Sequence, residues 1–412
     1  MTAITLTKCQ EAAYAAIVKL ITDPSQKYLV IEGGAGTGKT TLINTFMIEW
    51  KTTVALTAGA FEDQPIYLTA TTNKAADALS QATGREVTTI NSLLGIRVRS
   101  IGFKQSQIQY EPGVAIEDSI IIIDEVSFVS EELWVAIKTK TRNCKFILMG
   151  DPYQLPPVGY TESPLFNKGF QTVVMKEIKR QGHNSPIQVL SRNLRELVRT
   201  GGAMPKAGVD GVNILHLNQE DFLAEISNTF SQSLNCRVLA WTNDRADYYN
   251  QYVSQILNGS GDIQEGDTVI LAKTYRRGSR TGDNFKYAAD ATMTVMDIGH
   301  WYKDGYGIAC RNITNQNNHV LIQPYSFEEV DAATKEAYAN KDFNKVEVLE
   351  KRYADIRHPY GATVNKAQGS TYDTVFVDLN NIGRCRETSL KHRLLYVAAS
   401  RARDRVVFTG DI

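Results

Sequence analysis

The chain has few cysteines, no long apolar run and no excess of charge of either sign. Its five cysteines are scattered through 412 residues and form no C-x-x-C pair, which argues against a zinc site or a disulfide framework and suits a reducing cytosol. No apolar stretch approaches the length of a membrane span, and the first ten residues lack the regions of a signal peptide. We therefore expect a cytoplasmic protein with no membrane partner.

The balance of charge restricts how the chain could bind nucleic acid. Lysine and arginine together number 45, and so do aspartate and glutamate, so the formal net charge is zero. A nucleic-acid site would have to be a local groove rather than a basic face. The length predicts two to four domains.

A complete phosphate-binding loop, G-x-x-x-x-G-K-T, occupies residues 33–40. It follows the apolar run Tyr28–Ile31 and precedes the helical pattern Leu42–Trp50, which is the strand–loop–helix context that the motif requires. Its glycines let backbone N–H groups surround a phosphate chain, Lys39 would reach the β- and γ-phosphates, and Thr40 would hold Mg²⁺. The alternative is a glycine-rich turn without a ligand. The motif predicts that the chain binds a nucleoside triphosphate, with ATP and Mg²⁺ as cofactors.

Two further segments predict hydrolysis of that nucleotide. The apolar run Ile120–Ile123 ends in Asp124 and Glu125. Asp124 would hold Mg²⁺ through its waters, and Glu125 would orient or activate the attacking water. Gln154 lies on a proline-rich loop after the next strand and could sense the γ-phosphate. Each segment taken alone also fits an ordinary turn after a strand.

Strand and helix signals alternate along most of the chain and predict an α/β fold with buried parallel sheets. Residues 97–110 alternate around Gly102 and predict an inserted β-hairpin, whereas residues 258–325 are glycine-rich and β-like. The predicted strands of the first part are Tyr28–Ile31, Thr53–Leu56, Ile66–Thr69, Ile120–Ile123 and Phe146–Met149. A second α/β pattern begins near Gln171, and residues 327–353 read as a helical arm.

Five segments resemble the motifs of superfamily 1 helicases in the order of that family. They are Leu6–Ala13 (the Q motif), Asp124–Ser127 (motif II), Gly150–Pro157 (motif III), Tyr360–Ser370 (motif V) and Leu395–Arg403 (motif VI). Within the family the chain looks most similar to the RecD-like branch that moves 5′→3′. The chain differs from many relatives in having Asn91 and Asn365 at positions where histidine is common, and Ser400 where threonine is usual.

The resemblance implies two RecA-like parallel-sheet motor domains. The first would carry the β-hairpin, and the second would carry a β-barrel-like, SH3-like insertion with the helical arm. The implied limits are 1–94 and 118–170 for the first motor domain, 95–117 for the hairpin insertion, 171–257 and 356–412 for the second motor domain, and 258–355 for the barrel and arm.

The resemblance also assigns roles around the nucleotide. Gln10 would pair with adenine, a geometry that suits a glutamine amide. Arg401 would be an arginine finger and Arg180 a second one, whereas Arg403 also fits a surface cation. The implied cofactor-binding set is Gln10, Gly33, Gly34, Ala35, Gly36, Thr37, Gly38, Lys39, Thr40, Thr41 and Gly369.

Short polar side chains within these motifs are the implied contacts to DNA, because hydroxyl and amide groups bind phosphates without reading sequence. The set is Thr69, Thr71, Asn73, Thr89, Asn91, Phe103, Trp241, Thr242, Asn243, Thr363, Asn365 and Lys366. Any single threonine also fits a simple β-propensity choice. Phe103 and Trp241 would stack on bases or separate strands, although Trp241 also fits a buried core position.

The implied protein is an ATP-dependent helicase that moves 5′→3′ on single-stranded DNA in bacterial or phage replication, recombination or repair. We expect a monomer that binds single strands and tailed duplexes, with a single-strand-binding protein as a candidate partner. Three alternatives stay open. They are an ATPase that remodels nucleoprotein complexes without unwinding, a non-catalytic DNA clamp, which Lys39, Glu125 and Arg401 argue against, and a small-molecule kinase.

Overall fold

The structure, a computed structural model, describes residues 6–56, 64–100, 106–177, 185–202, 209–277 and 285–411. The chain forms two compact units. Unit 1 comprises Met1–Leu217 and Val364–Ile412, and unit 2 comprises Asn218–Thr363. None of the helices in these described ranges is both long and apolar enough to cross a bilayer.

The N-terminal part of unit 1 alternates helices and strands. In chain order they are α1 (Lys8–Thr22), β1 (Tyr28–Gly33), α2 (Lys39–Leu56), β2 (Ile66–Ala70), α3 (Asn73–Thr83), β3 (Thr88–Thr89), α4 (Ile90–Leu93), β4 (Ile96–Ser100), β5 (Ser106–Tyr110), β6 (Ile116–Glu117), β7 (Ile120–Asp124), α5 (Glu131–Thr139), β8 (Thr141–Arg142), β9 (Lys145–Gly150), β10 (Gln171–Met175), α6 (Pro186–Thr200) and β11 (Ile214–Leu217).

Six of these strands form a parallel sheet in the order β10-β1-β9-β7-β2-β3. The four isoleucines of β7 are completely buried because helices cover both faces of the sheet. One face packs against α1 and α2 through Ile17, Leu42 and Phe46, and the other packs against Trp134 of α5. This arrangement brings the carboxyl ends of β1, β7 and β9 to one edge of the sheet, where the predicted nucleotide residues follow.

Two predictions made from the sequence were wrong. Thr53–Leu56, predicted as a strand, is the end of helix α2, because no glycine or proline interrupts the helix after Trp50 and propagation overrides the β-branched residues. Gln171–Met175, assigned to the second motor domain, is instead the edge strand β10 of the first sheet. An alternating α/β pattern shows that a strand is present but not which sheet it joins.

The predicted hairpin is confirmed in its two strands. β4 and β5 pair in antiparallel register from Ile96 with Tyr110 to Ser100 with Ser106. At its base, Lys140 Nζ donates to the carbonyls of Glu111 and Val114, at 2.9 and 3.0 Å, and so fixes the chain that leaves the hairpin. The turn, including Gly102 and Phe103, lies outside the described residues.

In its described residues, unit 2 combines a parallel strand pair with an antiparallel sheet, a separate two-stranded antiparallel pair and four helices. Its elements are α7 (Gln219–Gln232), β12 (Cys236–Ala240), α8 (Asn243–Asn258), β13 (Thr268–Leu271), β14 (Tyr275–Arg277), β15 (Phe285–Tyr287), β16 (Thr292–Ile298), β17 (Tyr302–Lys303), β18 (Ala309–Asn315), β19 (Val320–Pro324), α9 (Phe327–Ala339), α10 (Phe343–Arg352), β20 (Ile356–Arg357) and β21 (Gly361–Thr363).

The antiparallel sheet of unit 2 corresponds to the predicted β-barrel-like insertion. Its strand order is β17-β18-β16-β13-β20, and β19 also pairs with β18. Its core contains Val269, Leu271, Val295, Ile313 and Leu321, all fully buried. The helices α9 and α10 form the predicted arm and pack on each other beside this sheet.

The C-terminal part of unit 1 returns to the α/β pattern. It contains α11 (Val364–Ala367), β22 (Tyr372–Asp378), α12 (Leu379–Gly383), α13 (Thr388–Ser400) and β23 (Ala402–Thr409). β11, β23 and β22 are neighbours in that order and run parallel. Helix α13, buried over most of its length, packs against α6. The predicted α/β class with parallel sheets is therefore confirmed.

Candidate active site

A cavity of about 530 Å³ in unit 1 collects the residues that the sequence assigned to nucleotide chemistry. The size lies in the range of small-molecule sites, about 300–1,000 Å³. The predicted residues that line it are Gly34, Ala35, Gly36, Gly38, Lys39, Thr40, Thr41, Asp124, Glu125, Gln154, Gly369 and Arg401. These residues are up to 367 positions apart in sequence (401 minus 34), so the fold rather than local sequence assembles the cavity.

The phosphate loop has the backbone that its glycines predict. Gly36 and Gly38 have φ angles of 81° and 83°, in the left-handed region that favours glycine. The buried Thr37 donates from Oγ1 to the carbonyl of Gly34 at 2.9 Å and closes the turn. Lys39 Nζ donates to the Gly33 carbonyl at 2.6 Å, so its ammonium group lies on the loop itself. A phosphate entering the loop would meet this ammonium group and the N-terminus of α2.

Gln10 is buried beneath the loop. Its Oε1 accepts from the Thr7 N–H at 2.9 Å, completing the cap of α1, and its Nε2 donates to the Gly38 carbonyl at 3.2 Å. The side chain is 1% exposed and supports the loop from below. Its pairing with adenine stays a prediction. The structure adds a positioning contact to Gly38 that the sequence did not indicate.

Asp124 and Glu125 lie together at the carboxyl end of β7. The Asp124 carboxylate accepts the Glu125 N–H at 2.9 Å. Burial and the neighbouring Glu125 charge raise the pKa of Asp124 above its ordinary value, while Lys39 acts in the opposite direction. Thr71 braces both residues: its N–H donates to the Asp124 carbonyl at 3.2 Å and its hydroxyl to the Glu125 carbonyl at 2.9 Å.

Glu125 has two features that suit a residue acting on water. Its φ of 56° lies in the left-handed region, which is uncommon for a residue with a side chain. Its buried Oε2 has no hydrogen-bond partner among the described residues. A buried acceptor without a partner costs about 1–3 kcal/mol, and a water molecule in the cavity would satisfy it.

Gln154 is held by a glutamine that the sequence reasoning did not single out. Gln154 Oε1 accepts from Gln368 Nε2 at 2.8 Å, and the same Nε2 lies 3.1 Å from Ser127 Oγ. All three side chains are at least 96% buried. Gln368 lies inside the motif V segment, so its position in the motif was the available signal.

Arg401 lies at the C-terminus of α13 and lines the cavity. Its guanidinium donates to the Val397 carbonyl at 3.2 Å, the Ser370 carbonyl at 3.3 Å and Ser400 Oγ at 2.9 Å. Arg393, which lies earlier in the same helix, donates to the carbonyls of Pro152 and Gln154 at 2.6 and 2.7 Å. Helix α13 therefore fixes both the cavity arginine and the loop that carries Gln154.

A buried carboxylate links the same loop to α13 and α6. Asp151 is fully buried and accepts from the Tyr396 hydroxyl at 2.6 Å and from Arg195 Nε at 3.3 Å. Burial and the adjacent Asp151 raise the pKa of Tyr396 well above its ordinary value, which keeps the hydroxyl a donor. A Cβ on Gly34 would lie 3.3 Å from both Arg195 and Tyr396, so this cluster closely supports the phosphate loop.

The predicted DNA contacts near α3 and α4 have local structural partners. Thr69 is fully buried and donates to the Ile122 carbonyl at 2.7 Å, and Asn73 begins α3. Thr89 caps α4 by accepting the Ser92 N–H at 3.2 Å. Asn91 Oδ1 is buried and has no partner in the described parts of the chain. The buried position of Thr69 indicates a structural role in this conformation, and the DNA roles stay predictions.

The remaining predicted contacts are divided between the two units. In unit 2, Thr242 caps α8 by accepting the Arg245 N–H at 3.4 Å, Asn243 is exposed, and Trp241 is half-buried. Thr363 ends β21 and is 8% exposed. In unit 1, Asn365 is exposed on α11, and the carbonyl of Lys366 accepts from Lys74 Nζ at 3.1 Å. Arg180 and Phe103 lie outside the described residues.

The residues present fit a bound Mg²⁺. The Thr40 hydroxyl and the Asp124 carboxylate line the same cavity, and both are oxygen donors of the kind that Mg²⁺ prefers. One or two protein ligands suffice, since Mg²⁺ usually keeps several waters and binds substrate phosphates.

Comparisons with known proteins point to the same family as the sequence motifs. The AAA domain family matches residues 16–160, and the UvrD-like helicase C-terminal domain matches residues 359–409. Over 99% of its length the chain is 26% identical to the ATP-dependent DNA helicase dda of Enterobacteria phage T4, and it covers 100% of that protein. It is 24% identical to the ATP-dependent RecD2 DNA helicase of Deinococcus radiodurans over 93% of its own length, but covers only 47% of that relative.

These matches support a superfamily 1 helicase of the RecD/Pif1-like type. The resemblance drawn from the sequence motifs is thereby confirmed, and the protein is an ATP-dependent DNA helicase that hydrolyses ATP. Among solved structures, the Pif1 helicase from Candida albicans matches this helicase with a TM-score of 0.52 at 17% identity. That match covers 100% of this chain and 95% of the other. The match supports the fold of two RecA-like domains.

Proposed function

We propose that this helicase moves 5′→3′ along single-stranded DNA. The observation that carries the direction is the short segment between Thr89 and Asp124. Before β7, its described residues form only the short helix α4, the paired strands β4 and β5, and the two-residue strand β6. Superfamily 1 relatives that move 3′→5′ usually have a much larger inserted domain there. The antiparallel sheet of unit 2 also resembles the insertion of the 5′→3′ branch.

We further propose the division of work within the ATP site. Lys39 neutralises the β- and γ-phosphates, and Thr40 and Asp124 hold Mg²⁺. Glu125 accepts a proton from, or orients, the attacking water, for which its unpaired Oε2 is suited. Gln154 contacts the γ-phosphate, and Arg401 neutralises charge that develops in the transition state. Arg180 is proposed as a second arginine finger with the same role. Gln10 supports the loop and contacts adenine.

The DNA track would consist mostly of short polar side chains and backbone groups. The exposed Asn365 and Asn243, and the cap residues Thr89 and Thr242, offer hydroxyl and amide groups at helix N-termini. Helix N-termini and such side chains bind phosphate without base specificity, as a translocating motor requires. The hairpin of β4 and β5 would separate the strands, and the barrel and arm would guide one of them.

We retain two motor domains, with the predicted limits changed in one respect: β10 belongs to the first sheet. The remaining limits are part of the proposal. We also propose action as a monomer in bacterial or phage-infected cytoplasm, in replication, recombination or repair, with a single-strand-binding protein as the candidate partner.

Two duplexes that differ only in which end carries a single-stranded tail test the direction. With ATP and Mg²⁺, unwinding should be efficient from the 5′ tail and weak from the 3′ tail. Efficient unwinding from the 3′ tail alone would reject the 5′→3′ assignment while leaving the ATP-driven motor intact.

A second candidate function is remodelling of nucleoprotein complexes without duplex unwinding. It shares the ATP site, and the two functions differ in the need for the hairpin. In that case ATP hydrolysis would displace a protein bound to single-stranded DNA, yet neither tailed duplex would be unwound. The same two duplexes, with a streptavidin block added on a biotinylated single strand, distinguish the two functions.

A further inference from the structure

The orientation of the Gln154 amide is set by one donor. A glutamine amide carries an acceptor at Oε1 and two donors at Nε2, and these ends act oppositely toward a phosphate. Gln368 Nε2 donates to Gln154 Oε1 at 2.8 Å. Because the oxygen of Gln154 is occupied in this way, its NH₂ group is the end left to donate. Gln154 lines the cavity with Lys39, Glu125 and Arg401.

The same donor connects Gln154 to the turn that carries Glu125. Gln368 Nε2 also lies 3.1 Å from Ser127 Oγ, in the short 3₁₀ turn Val126–Phe128 that begins directly after Glu125. Gln368 and Ser127 are 2% and 1% exposed, so water does not compete for these bonds. One amide group therefore joins the predicted γ-phosphate contact to the segment of the predicted water-activating carboxylate.

Gln368 occupies a segment that joins two functional regions. Asn365 and Lys366, both predicted DNA contacts, lie three and two residues before it. Gly369, directly after it, lines the cavity, and the carbonyl of Ser370 accepts from Arg401. The N–H of Gln368 donates to the Asn365 carbonyl at 3.4 Å, and the N–H of Ser370 donates to the Ala367 carbonyl at 3.0 Å. A shift of this turn would therefore be transmitted to the Gln368 side chain.

We propose that Gln368 is a positioning residue for ATP hydrolysis: it fixes the Gln154 amide with its NH₂ group toward the γ-phosphate and ties it to the turn behind Glu125. Gln368 itself does not touch the nucleotide. The inference rests on the proposed roles of Gln154 and Glu125. It predicts that loss of the Gln368 donor slows the chemical step while ATP binding is retained, because the effect arises where charge develops in the transition state.

The decisive substitution is Gln368→Glu. The carboxylate has the shape of the amide but only accepts, so it would draw the Gln154 NH₂ group to itself and turn the Gln154 oxygen toward the phosphate. We expect kcat for ATP, measured at saturating single-stranded DNA, to fall about 10- to 100-fold, toward the effect of losing one preorganised donor. The dissociation constant of a fluorescent ATP analogue should change less than about threefold.

A double-mutant cycle separates positioning from a general structural effect. If Gln368 acts through Gln154, the double variant Gln154→Leu/Gln368→Met should be no slower than Gln154→Leu alone. Independent, multiplicative losses would overturn the proposal. The Gln368→Met variant is also the second probe should the buried charge of Gln368→Glu prevent folding, since methionine is of similar size and removes the donor without adding charge.

Ser163→Ala is the matched control. Ser163 is also buried, at 3% exposed, and donates from Oγ to the Val126 carbonyl at 3.1 Å, on the same turn but without contact to Gln154. It should lower the melting temperature as much as Gln368→Met does, yet keep kcat within about twofold. Equal loss of kcat in both variants would reject a specific role for Gln368.

The experiment distinguishes failure of this inference from failure of the proposed function. If single-stranded DNA does not stimulate the wild-type ATPase, the proposed function fails. If it does, and Gln368→Glu and Gln368→Met both retain wild-type kcat, the inference alone is rejected.

Discussion

At the scale of single residues, Lys39 and Glu125 should have separable effects on the nucleotide. Lys39→Ala should reduce ATP hydrolysis to background, because Lys39 supplies the ammonium group on the loop that faces the phosphates. Glu125→Gln should bind ATP normally but hydrolyse it about 10²- to 10⁴-fold more slowly, the range for loss of a general base. Equilibrium binding of an ATP analogue and steady-state turnover measure the two quantities. Wild-type turnover in Glu125→Gln would remove Glu125 from the water-activating role.

Arg401 should act mainly in the transition state. Its guanidinium is already held by the carbonyls of Val397 and Ser370 at the cavity, so little ordering is needed when the nucleotide reacts. Arg401→Ala should lower kcat about 10³-fold, with ATP affinity changed only modestly. Arg403→Ala is the control, because Arg403 is exposed and pairs with Asp373 and Asp404 at the surface. A loss confined to nucleotide affinity would contradict the finger assignment.

Residue identities in the ATP site were predictable where the chemistry is local in sequence. The loop of residues 33–40 and the pair Asp124–Glu125 follow their strands directly, so spacing alone indicated them. Gln368, Asp151, Arg195 and Tyr396 gain their roles from partners more than 40 residues away, which no local pattern specifies. The cap residues Thr89 and Thr242 illustrate the opposite limit: their hydroxyls have local bonds that compete with the DNA roles predicted for them.

At the scale of secondary-structure elements, the hairpin is the element that the proposed strand separation requires. Replacing residues 97–109 with a short Asn-Gly turn would leave Lys140 on the carbonyls of Glu111 and Val114, so unit 1 should still fold. We expect ATP hydrolysis stimulated by single strands to stay within about twofold and unwinding of a 5′-tailed duplex to be lost. Retained unwinding would assign strand separation to another element.

An aspartate with a buried side chain joins the barrel to the arm in unit 2. The Asp304 carboxylate accepts from Arg352 Nε at 2.8 Å, the Tyr353 hydroxyl at 2.7 Å and the Tyr306 N–H at 2.9 Å. Burial alone would raise its pKa, but the bonds from Tyr353, the Tyr306 backbone and Arg352 together hold the pKa of Asp304 below its ordinary value. This network attaches the end of α10 to the turn between β17 and β18.

Asp304 should make the free energy of unfolding of unit 2 fall at low pH. Since the folded pKa is lowered, its contribution is complete above the ordinary carboxyl pKa and is lost as the pH falls through the lower folded value. Asp304→Asn should lower the free energy of unfolding by about 1–3 kcal/mol at pH 7 and flatten its dependence on pH below about 4. Urea titrations between pH 3 and 7, followed by a probe in unit 2, measure this. An unchanged pH profile would contradict the assignment.

The elements themselves were largely predictable, but their partners were not. The continuous apolar run of β7 and the alternation of β4 and β5 indicated their types correctly. β10 carried an equally good strand signal, yet its pairing with β1 depends on tertiary packing that the local pattern does not contain. Thr53–Leu56 shows that β-branched residues at the end of a helix follow the helix when no break precedes them.

At the scale of the whole molecule, the balanced charge predicts a weak dependence of DNA binding on salt. The net charge is zero and most proposed contacts are threonine and asparagine, so few counterions are released. The slope of log K against log salt for an oligonucleotide should correspond to only a few phosphate contacts. A slope near that of eight or more neutralised phosphates would reveal a basic track formed by other residues.

The left-handed backbone of Glu125 means that the helicase is less stable than it would be with a glycine at this position. A residue with a side chain in this region is disfavoured by roughly 1–2 kcal/mol, and the unpaired Oε2 adds to that strain. Glu125→Gly should therefore leave thermal stability equal or higher while abolishing ATP hydrolysis. At this position catalysis and stability make opposing demands on the residue. Thr71 donates to the carbonyls of Asp124 and Glu125, on either side of the left-handed conformation, and thereby stabilises the backbone that catalysis requires.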